Sequence, residues 1–349
     1  MAASSSRRTF LKGASLASLG SLIQVRAVRG QAARPVRSKR DLMHQALDHS
    51  TPSSYIPAGF FMHFGVRGDA AVKAHLDYFR ATGMDFLKIQ FDEQSLPAHS
   101  EIKTPEDWAK LPVLAEEWFE PSLYLLKRLI SEAKAEAFIL QTVYSPYQMA
   151  KQAVPWSLLV EHVNQDAELV SRGMENITLS LLNFVQAASR LGVDGFYMCS
   201  QGGETNRIAD RALFNRTIKT YDMLLYKEAS RLAPCNIMHL CDYDGPYEEF
   251  AQRFHDYPGQ VVNVPLSADG KPLSLQQAAQ LFKRPVMGGI DRHGIVTTGT
   301  TEQVKQATLA VLKQAPASFI LGADCTVNAK TPIENLQTAI RTAHEYRSS

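Results

Sequence analysis

Short apolar runs alternate with longer amphipathic stretches along most of this chain. Eight apolar runs have the length and composition of β-strands. They cover residues 58–65, 84–92, 137–145, 192–200, 235–243, 260–267, 285–291 and 318–325. The intervening stretches repeat apolar residues every three and four positions, which predicts helices. The clearest of these cover residues 122–136, 211–233, 300–314 and 332–347.

Eight strand-then-helix units with largely apolar strands predict an α/β fold of one kind. We expect a closed parallel (β/α)8 TIM barrel, formed as a single domain by residues 34–349. Gly83 and Gly192 fall at the ends of helical stretches, where glycine commonly terminates a helix. A doubly wound open sheet is the alternative. It rarely needs eight such units, and no Gly-x-Gly-x-x-Gly follows the first predicted strand.

A barrel predicts where the chemistry lies, because active sites in this fold occupy the face at which the strands end. Several reactive side chains fall late in the predicted strands or directly after them. These residues are His63, Asp92, Tyr144, Ser200, His239, Cys241, Asp291 and Cys325. We therefore expect them to surround one pocket.

A His-x-Cys pair and a distant cysteine predict a metal site. His239 and Cys241 lie two residues apart on a strand, so their side chains point to the same face, and Cys325 follows the last strand. One imidazole and two thiolates suit zinc, with the fourth position open for water or substrate. Glu204 could be that fourth ligand, although a solvated loop acid is the favoured interpretation. Cys199 is interpreted as a small buried hydrophobic residue rather than a ligand.

A disulfide is the competing interpretation of the four cysteines at 199, 235, 241 and 325. Cys235 and Cys241 open and close the same predicted strand, about 20 Å apart at about 3.3 Å per residue, so they cannot pair. The metal site is therefore favoured.

The first 33 residues have the composition of an export signal rather than of a folded domain. The segment 6–12, Ser-Arg-Arg-Thr-Phe-Leu-Lys, has the twin-arginine pattern, and a weakly apolar stretch over 13–25 leads to small residues at 32–33. About 13 residues are too few to span a membrane. The segment carries five basic residues and no acid, so the remaining chain has a net charge of −3 against +2 for the whole. We expect a periplasmic or extracellular protein with no nucleic-acid partner and no membrane span.

Two segments in the last third of the chain carry recognisable motifs. Residues 287–312, MGGIDRHGIVTTGTTEQVKQATLAVL, contain a Gly-Gly-Ile-Asp loop and the helix that follows it. Residues 319–346 contain a cysteine, Thr-Pro and Glu-Asn. Both segments resemble the uroporphyrinogen decarboxylase superfamily, and the resemblance extends over nearly all of the chain after the signal and implies a (β/α)8 barrel.

Two activity classes share the fold that this resemblance implies. The metal-free decarboxylases bind a polycarboxylated tetrapyrrole with an Arg-x-Ala-Gly-Arg segment. Here Ala58-Gly59 is flanked by Ile56 and Phe60 instead of arginines. Asp92 matches the family aspartate and Ser200 is similar in position to the family serine. Without the two guanidinium groups we expect an apolar pocket wall at Phe60 and little decarboxylation of uroporphyrinogen.

The second class comprises the corrinoid-dependent methyltransferases, whose signature is a zinc-binding His-x-Cys and a later cysteine. His239, Cys241 and Cys325 match that signature. The resemblance thus implies a zinc-dependent methyltransferase or demethylase that activates a thiol, with a corrinoid or corrinoid protein as co-substrate. A decarboxylase of a carboxylated ring remains the alternative, as does an exported protein that only binds a tetrapyrrole, a corrinoid or zinc.

Further roles are expected around the metal. Asp92 and His63 are the predicted catalytic residues, and a small-molecule substrate would contact Ser200, Asp291, Tyr144 and Phe60. A satisfied core histidine is the simpler interpretation of His63, and Asp291 could instead stabilise its turn or orient a ligating imidazole. The sequence leaves these interpretations open.

Replacing Arg7 and Arg8 together with lysine tests the export signal. We expect the precursor to remain in the cytoplasm, because the export machinery recognises the arginine pair. Fractionation of expressing cells followed by N-terminal sequencing measures this, with the wild-type chain as control. Unchanged export of the double variant would contradict the assignment.

Overall fold

A parallel β-sheet runs through the protein, and its strands follow one another in chain order. The computed structural model describes residues 38–47, 55–90, 96 and 102–347, so the predicted signal and Asp92 lie outside the described residues. The strands are β1 (Phe86–Ile89), β2 (Phe138–Tyr144), β3 (Gly195–Ser200), β4 (Ile237–Leu240), β5 (Val261–Asn263), β6 (Ser267–Ala268), β7 (Lys271–Pro272), β8 (Val286–Ile290) and β9 (Phe319–Ala323). The curled sheet has the order β1-β2-β3-β4-β5-β8-β9, while β6 and β7 form a separate antiparallel pair.

Helices connect successive strands and cover the outside of the sheet. They are α1 (Lys39–Leu47), α2 (Gly68–Thr82), α3 (Glu120–Ala133), α4 (Pro146–Ala150), α5 (Trp156–Gln165), α6 (Ala167–Leu191), α7 (Arg211–Phe214), α8 (Thr220–Leu232), α9 (Tyr247–Phe254), α10 (Leu275–Phe282), α11 (Ile295–Thr298), α12 (Thr301–Gln314) and α13 (Ile333–Glu345). Gly83 and Gly192 adopt left-handed φ angles of 75° and 91° directly after α2 and α6, as the sequence predicted. Among the described residues, no helix is long and apolar enough to cross a membrane.

The predicted first strand, 58–65, is not a regular strand. Its backbone pairs with the sheet only at isolated bridges, Ala58 with Leu321 and Met62 with Val327. The segment nevertheless contacts both edges of the sheet. The N–H of Gly59 donates to the carbonyl of Leu321, and the N–H of Asp85, just before β1, donates to that of Ala58. The eighth position of the predicted barrel is therefore held by an irregular extended segment between β9 and β1.

A buried carboxylate fixes this segment. Asp85 is fully buried and accepts a hydrogen bond of 2.7 Å from the N–H of Ala58. It also accepts one from the hydroxyl of Tyr55 and pairs with His344 Nε2 of α13 at 2.8 Å. The extended segment before β1 and the last helix are thus tied to one side chain.

The strand residues alternate between two apolar layers. On β1, Phe86 belongs to the cluster enclosed by the sheet, and Leu87 and Ile89 belong to the larger cluster between sheet and helices. On β3, Tyr197 and Cys199 likewise face the enclosed cluster. This period of two decides which side chains can reach a site at the strand ends.

An ion pair closes the opposite end of the sheet, where the strands begin. Arg40 of α1 donates to both carboxylate oxygens of Asp194 at 2.8 and 3.0 Å and to the carbonyls of Lys134 and Ala137. The Asp194 carboxylate is nearly buried and also accepts from the N–H of Ile139 on β2. The pair therefore attaches α1 to the starts of the strands.

Replacing Arg40 with methionine should lower the free energy of unfolding by about 2 kcal/mol, because it leaves a buried carboxylate short of its partner. The matched control is Arg172→Met on α6, whose pair with Glu168 is exposed at 61% and 87% of the two side chains. That variant should change stability by less than about 0.5 kcal/mol. Urea denaturation measures both, and equal effects would contradict a structural role for the Arg40–Asp194 pair.

Candidate metal centre and pocket

A cavity of about 520 Å³ lies at the face of the sheet where the strands end. Its wall includes five of the predicted site residues, namely His63, Tyr144, His239, Cys241 and Cys325. Its volume is that of a small-molecule site. Five of the eight residues that were expected to surround one pocket therefore line this cavity.

Strand register places an imidazole and a thiol side by side. His239 on β4 pairs with Cys199 on β3 and with Asn263 on β5. Residues paired in register on neighbouring parallel strands face the same side of the sheet. Cys241 follows β4 two residues after His239 and faces that side as well. Cys325 follows β9 and reaches the group from across the enclosed space.

The ligand atoms of Cys199, His239 and Cys241 all lie within 4.8 Å of one another. The Sγ atoms of Cys241 and Cys325 are 3.7 Å apart, close to the about 3.8 Å separating two sulfurs on one tetrahedral zinc with bonds of about 2.3 Å. All four cysteines are free thiols. Cys199 is buried in the apolar cluster, as expected, and its thiol also belongs to a group that could bind a metal.

The imidazole of His239 is buried beside thiols and has no hydrogen-bond partner among the described residues. It is only 1% exposed, and neither ring nitrogen makes a hydrogen bond within the described part of the chain. Burial lowers its pKa, but negative charge on the nearby Cys199 and Cys325 outweighs burial and raises the pKa to about 10. A buried nitrogen without a hydrogen bond beside soft thiols fits a metal ligand.

The pKa values of the Cys325 and Cys241 thiols are shifted in opposite directions. A hydrogen bond from Cys241 lowers the pKa of Cys325 despite burial, and His239 and Arg292 add to this effect. The pKa of Cys241 is raised by its hydrogen bonds to Cys199 and Cys325 and by burial. The group thus carries thiolate character, which metal binding needs.

A polar network forms the floor beneath this group. The Tyr197 ring lies 5.1 Å from the His239 ring, centroid to centroid, and its hydroxyl donates to Asn263 Oδ1 at 2.5 Å. The Asn263 amide in turn donates to the carbonyls of Met287 on β8 and Ala323 on β9, each at 3.1 Å. The Asn263 side chain therefore connects Tyr197 of β3 with β8 and β9, while the backbone of Asn263 is paired with His239 of β4.

An ion pair shapes the rim. Asp242 has a φ of 49° and accepts from Arg292 at 2.6 Å and from Gln201 at 3.1 Å. The N–H of Arg292 donates to Asp324, next to Cys325. Short loops after four strands, β3, β4, β8 and β9, are thus held together around Cys241 and Cys325.

Two predicted substrate residues face away from the cavity. Ser200 is buried and its hydroxyl donates to Asp222 of α8, because strand alternation turns it to the helix side. Phe60 is fully buried in the layer between sheet and helices, and Ile56 packs against the same layer. The apolar pocket wall expected from Phe60 is therefore not found.

Asp291 stabilises a turn rather than lining the cavity, since its carboxylate accepts from the N–H of His293 at 2.8 Å. Glu204 pairs with Arg207 at 3.1 Å and is likewise absent from the cavity wall. The neighbouring Arg292 and His293 line the wall instead.

Basic side chains line the cavity, of which only the wall near the first predicted strand was expected to be apolar. Lys88, Lys151 and Arg292 all contribute to its wall. Lys88 is buried on the enclosed face of β1, donates to Gln90, and lies 4.6 Å from the centre of the Tyr197 ring. The position of Lys88 could have been predicted from the sequence Phe-Leu-Lys-Ile over 86–89, because strand alternation puts Lys88 on the same face as Phe86.

Residues 72–346 match the family described as uroporphyrinogen decarboxylase (URO-D). The chain belongs to the uroporphyrinogen decarboxylase family. A search of curated protein sequences finds no match. The resemblance read from residues 287–346 is therefore confirmed at the level of the family.

Solved structures similar to this family member agree on the fold. A methyltransferase from Methanosarcina mazei is 14% identical with a TM-score of 0.72, over 89% of this chain and 99% of that chain. A B12-independent methionine synthase from Shewanella sp. W3-18-1 is 13% identical with a TM-score of 0.53, over 84% and 95%. A putative vitamin-B12-independent methionine synthase from Listeria monocytogenes is 12% identical with a TM-score of 0.53, over 84% and 97%.

The acid behind Ser200 makes stability depend on pH. Asp222 is fully buried, and burial raises its pKa to about 7 although Tyr257 and Ser200 donate to it. Folding therefore favours the protonated acid, so the folded state should lose stability as pH rises from about 4 to about 7. At about 1.4 kcal/mol per pKa unit the loss is about 4 kcal/mol.

Asp222→Asn should remove this loss, because the amide does not ionise. The difference in free energy of unfolding between variant and wild type, measured in urea at pH 4 and pH 8, should shift in favour of the variant at pH 8. Asp77→Asn, at an exposed acid of α2, is the control and should keep the wild-type slope. A slope unchanged in Asp222→Asn would show that the buried acid does not titrate.

Proposed function

We propose that this chain is a zinc-dependent methyltransferase or demethylase that acts on a thiol, with a corrinoid as its second substrate. One observation carries the proposal: the imidazole of His239 and the thiols of Cys241 and Cys325 line one cavity at the strand ends, with the two sulfurs 3.7 Å apart. The similarity to a methyltransferase in fold is consistent with it. A closed single-domain barrel belongs to the same proposal.

His239, Cys241 and Cys325 would hold the zinc. The fit rests on the buried imidazole without a hydrogen bond and on the 3.7 Å between the two sulfurs. Bound zinc would keep a substrate thiol deprotonated at neutral pH, ready to accept a methyl group. Asn263 is paired with His239 in the sheet, and its side chain bonds Tyr197 and the carbonyl of Ala323, so it supports the strands beside these ligands.

The remaining pocket residues would bind and orient the substrate. Lys88, Lys151 and Arg292 favour a substrate with an anionic group. His63 lies on the cavity wall, where it could take up or release a proton, and Tyr144 could pack against the substrate. Asp92, at the end of the predicted second strand, would be a further polar anchor.

The decarboxylase of a carboxylated ring remains the second candidate, because the family match and the basic side chains of the cavity are compatible with it. Since Ile56 and Phe60 face the helices, the missing arginines weigh less against this candidate than the sequence implied. A metal-free decarboxylase gives no reason, however, for grouping thiols around His239. The thiols therefore favour methyl transfer over decarboxylation. Export through the twin-arginine route is a separate part of the proposal.

Parallel assays of the purified protein test the proposed function. Methylcobalamin with a thiol should yield methylated thiol and free cobalamin, and chelation of the zinc should abolish this activity. Uroporphyrinogen should give little coproporphyrinogen. Cys325→Ala should lose most of its zinc and more than about 100-fold of the methyl transfer, since a direct ligand matters more than the outer partners that change affinity 10–100-fold.

Cys235→Ala is the control, because Cys235 is a buried cysteine at the opposite end of the sheet. It should keep both zinc and activity. Efficient decarboxylation that survives zinc removal would restore the decarboxylase. Zinc or corrinoid binding without turnover of either substrate would favour a binding protein.

A further inference from the structure

Cys199 is a third thiol in the metal group, beyond the two that the family signature names. Its Sγ lies within 4.8 Å of the ligand atoms of both His239 and Cys241. It is 5% exposed and sits on β3 in register with His239. Its position is therefore fixed by the sheet and does not depend on a loop.

The backbone around Cys199 is held on both sides. Its carbonyl accepts from the N–H of Ser145 at 2.8 Å and from the hydroxyl of Tyr226 at 2.7 Å. Residue 199 is also paired with Tyr144 of β2. These bonds fix the backbone of residue 199 and so keep its side chain on the face of the sheet that carries His239.

We propose that Cys199 is the fourth protein ligand of the metal, so that the resting site is a closed set of one imidazole and three thiolates. This inference rests on the proposed function. A set of four protein ligands fills a tetrahedral zinc site, and Cys3His is a known set of this kind. A substrate thiol would then have to take the place of one protein ligand.

Cys199 is the ligand best suited to yield that place. Among the three thiols of the group, it alone is fully buried in the apolar cluster enclosed by the sheet, beside Tyr197, whereas Cys241 and Cys325 are partly exposed. A protonated cysteine behaves there as a small hydrophobic side chain. As the bond to Cys199 breaks, the bond to the incoming sulfur forms, and the proton of the incoming thiol passes to Cys199.

Cobalt(II) substitution counts the thiolates directly. The sulfur-to-cobalt absorption band grows with the number of coordinated thiolates, and thiolates are soft ligands that such metals bind well. Cys199→Ser changes the size of the side chain little and should reduce the band by about one third, from three thiolates to two. Zinc affinity, measured by competition with a chelator, should fall at least about 10-fold.

Titration with 2-mercaptoethanol tests the exchange. The cobalt-loaded Cys199→Ser protein should bind this thiol at a lower concentration than the wild type, because no protein thiolate competes for the position. Cys235→Ser is the matched control, with a buried cysteine at the far end of the sheet, and should equal the wild type in band intensity, zinc affinity and thiol binding.

The outcomes separate this inference from the proposed function. If the wild type binds one metal and Cys199→Ser keeps the full band and affinity, Cys199 is not a ligand, while the proposed function stands. If the wild type binds no metal stoichiometrically, both fail. Should Cys199→Ser not fold, Cys199→Ala and the band intensity of the wild type, two thiolates or three, decide the question.

Discussion

The buried imidazole of His239 is the constraint on which the candidate site depends. Burying an imidazole without a hydrogen bond costs free energy, and within the described chain neither nitrogen has one. The sheet places thiols rather than carboxylates or carbonyls beside it. A metal would satisfy the imidazole and thiols together, above the hydrogen-bonded floor formed by Tyr197 and Asn263.

Much of the fold could be predicted, because hydrophobic period and strand length are local properties. Seven of the eight predicted strands form the sheet, although each is shorter than predicted. The prediction of a regular strand over 58–65 was wrong, because the apolar composition of this run is that of a strand. Its backbone forms isolated bridges only, Ala58 with Leu321 of β9 and Met62 with Val327 after β9, a consequence of tertiary geometry that composition does not encode.

The parts of the site that depend on residue spacing could be predicted from the sequence, whereas the parts that depend on the register between strands could not. His239 and Cys241 lie two residues apart, which fixes their common face, and the strand-end rule added Cys325. Cys199 could be placed only by knowing that it pairs with His239 across two strands. Phe60 was assigned to the pocket without knowing which face of its irregular segment looks inward.

X-ray absorption at the zinc edge of the purified, metal-loaded wild-type protein tests the central claim most directly. The account predicts a first shell of at least two sulfurs at about 2.3 Å and one imidazole nitrogen at about 2.0–2.1 Å. A first shell of oxygen and nitrogen alone would contradict it, because His239 would then lie beside thiols that do not bind the metal.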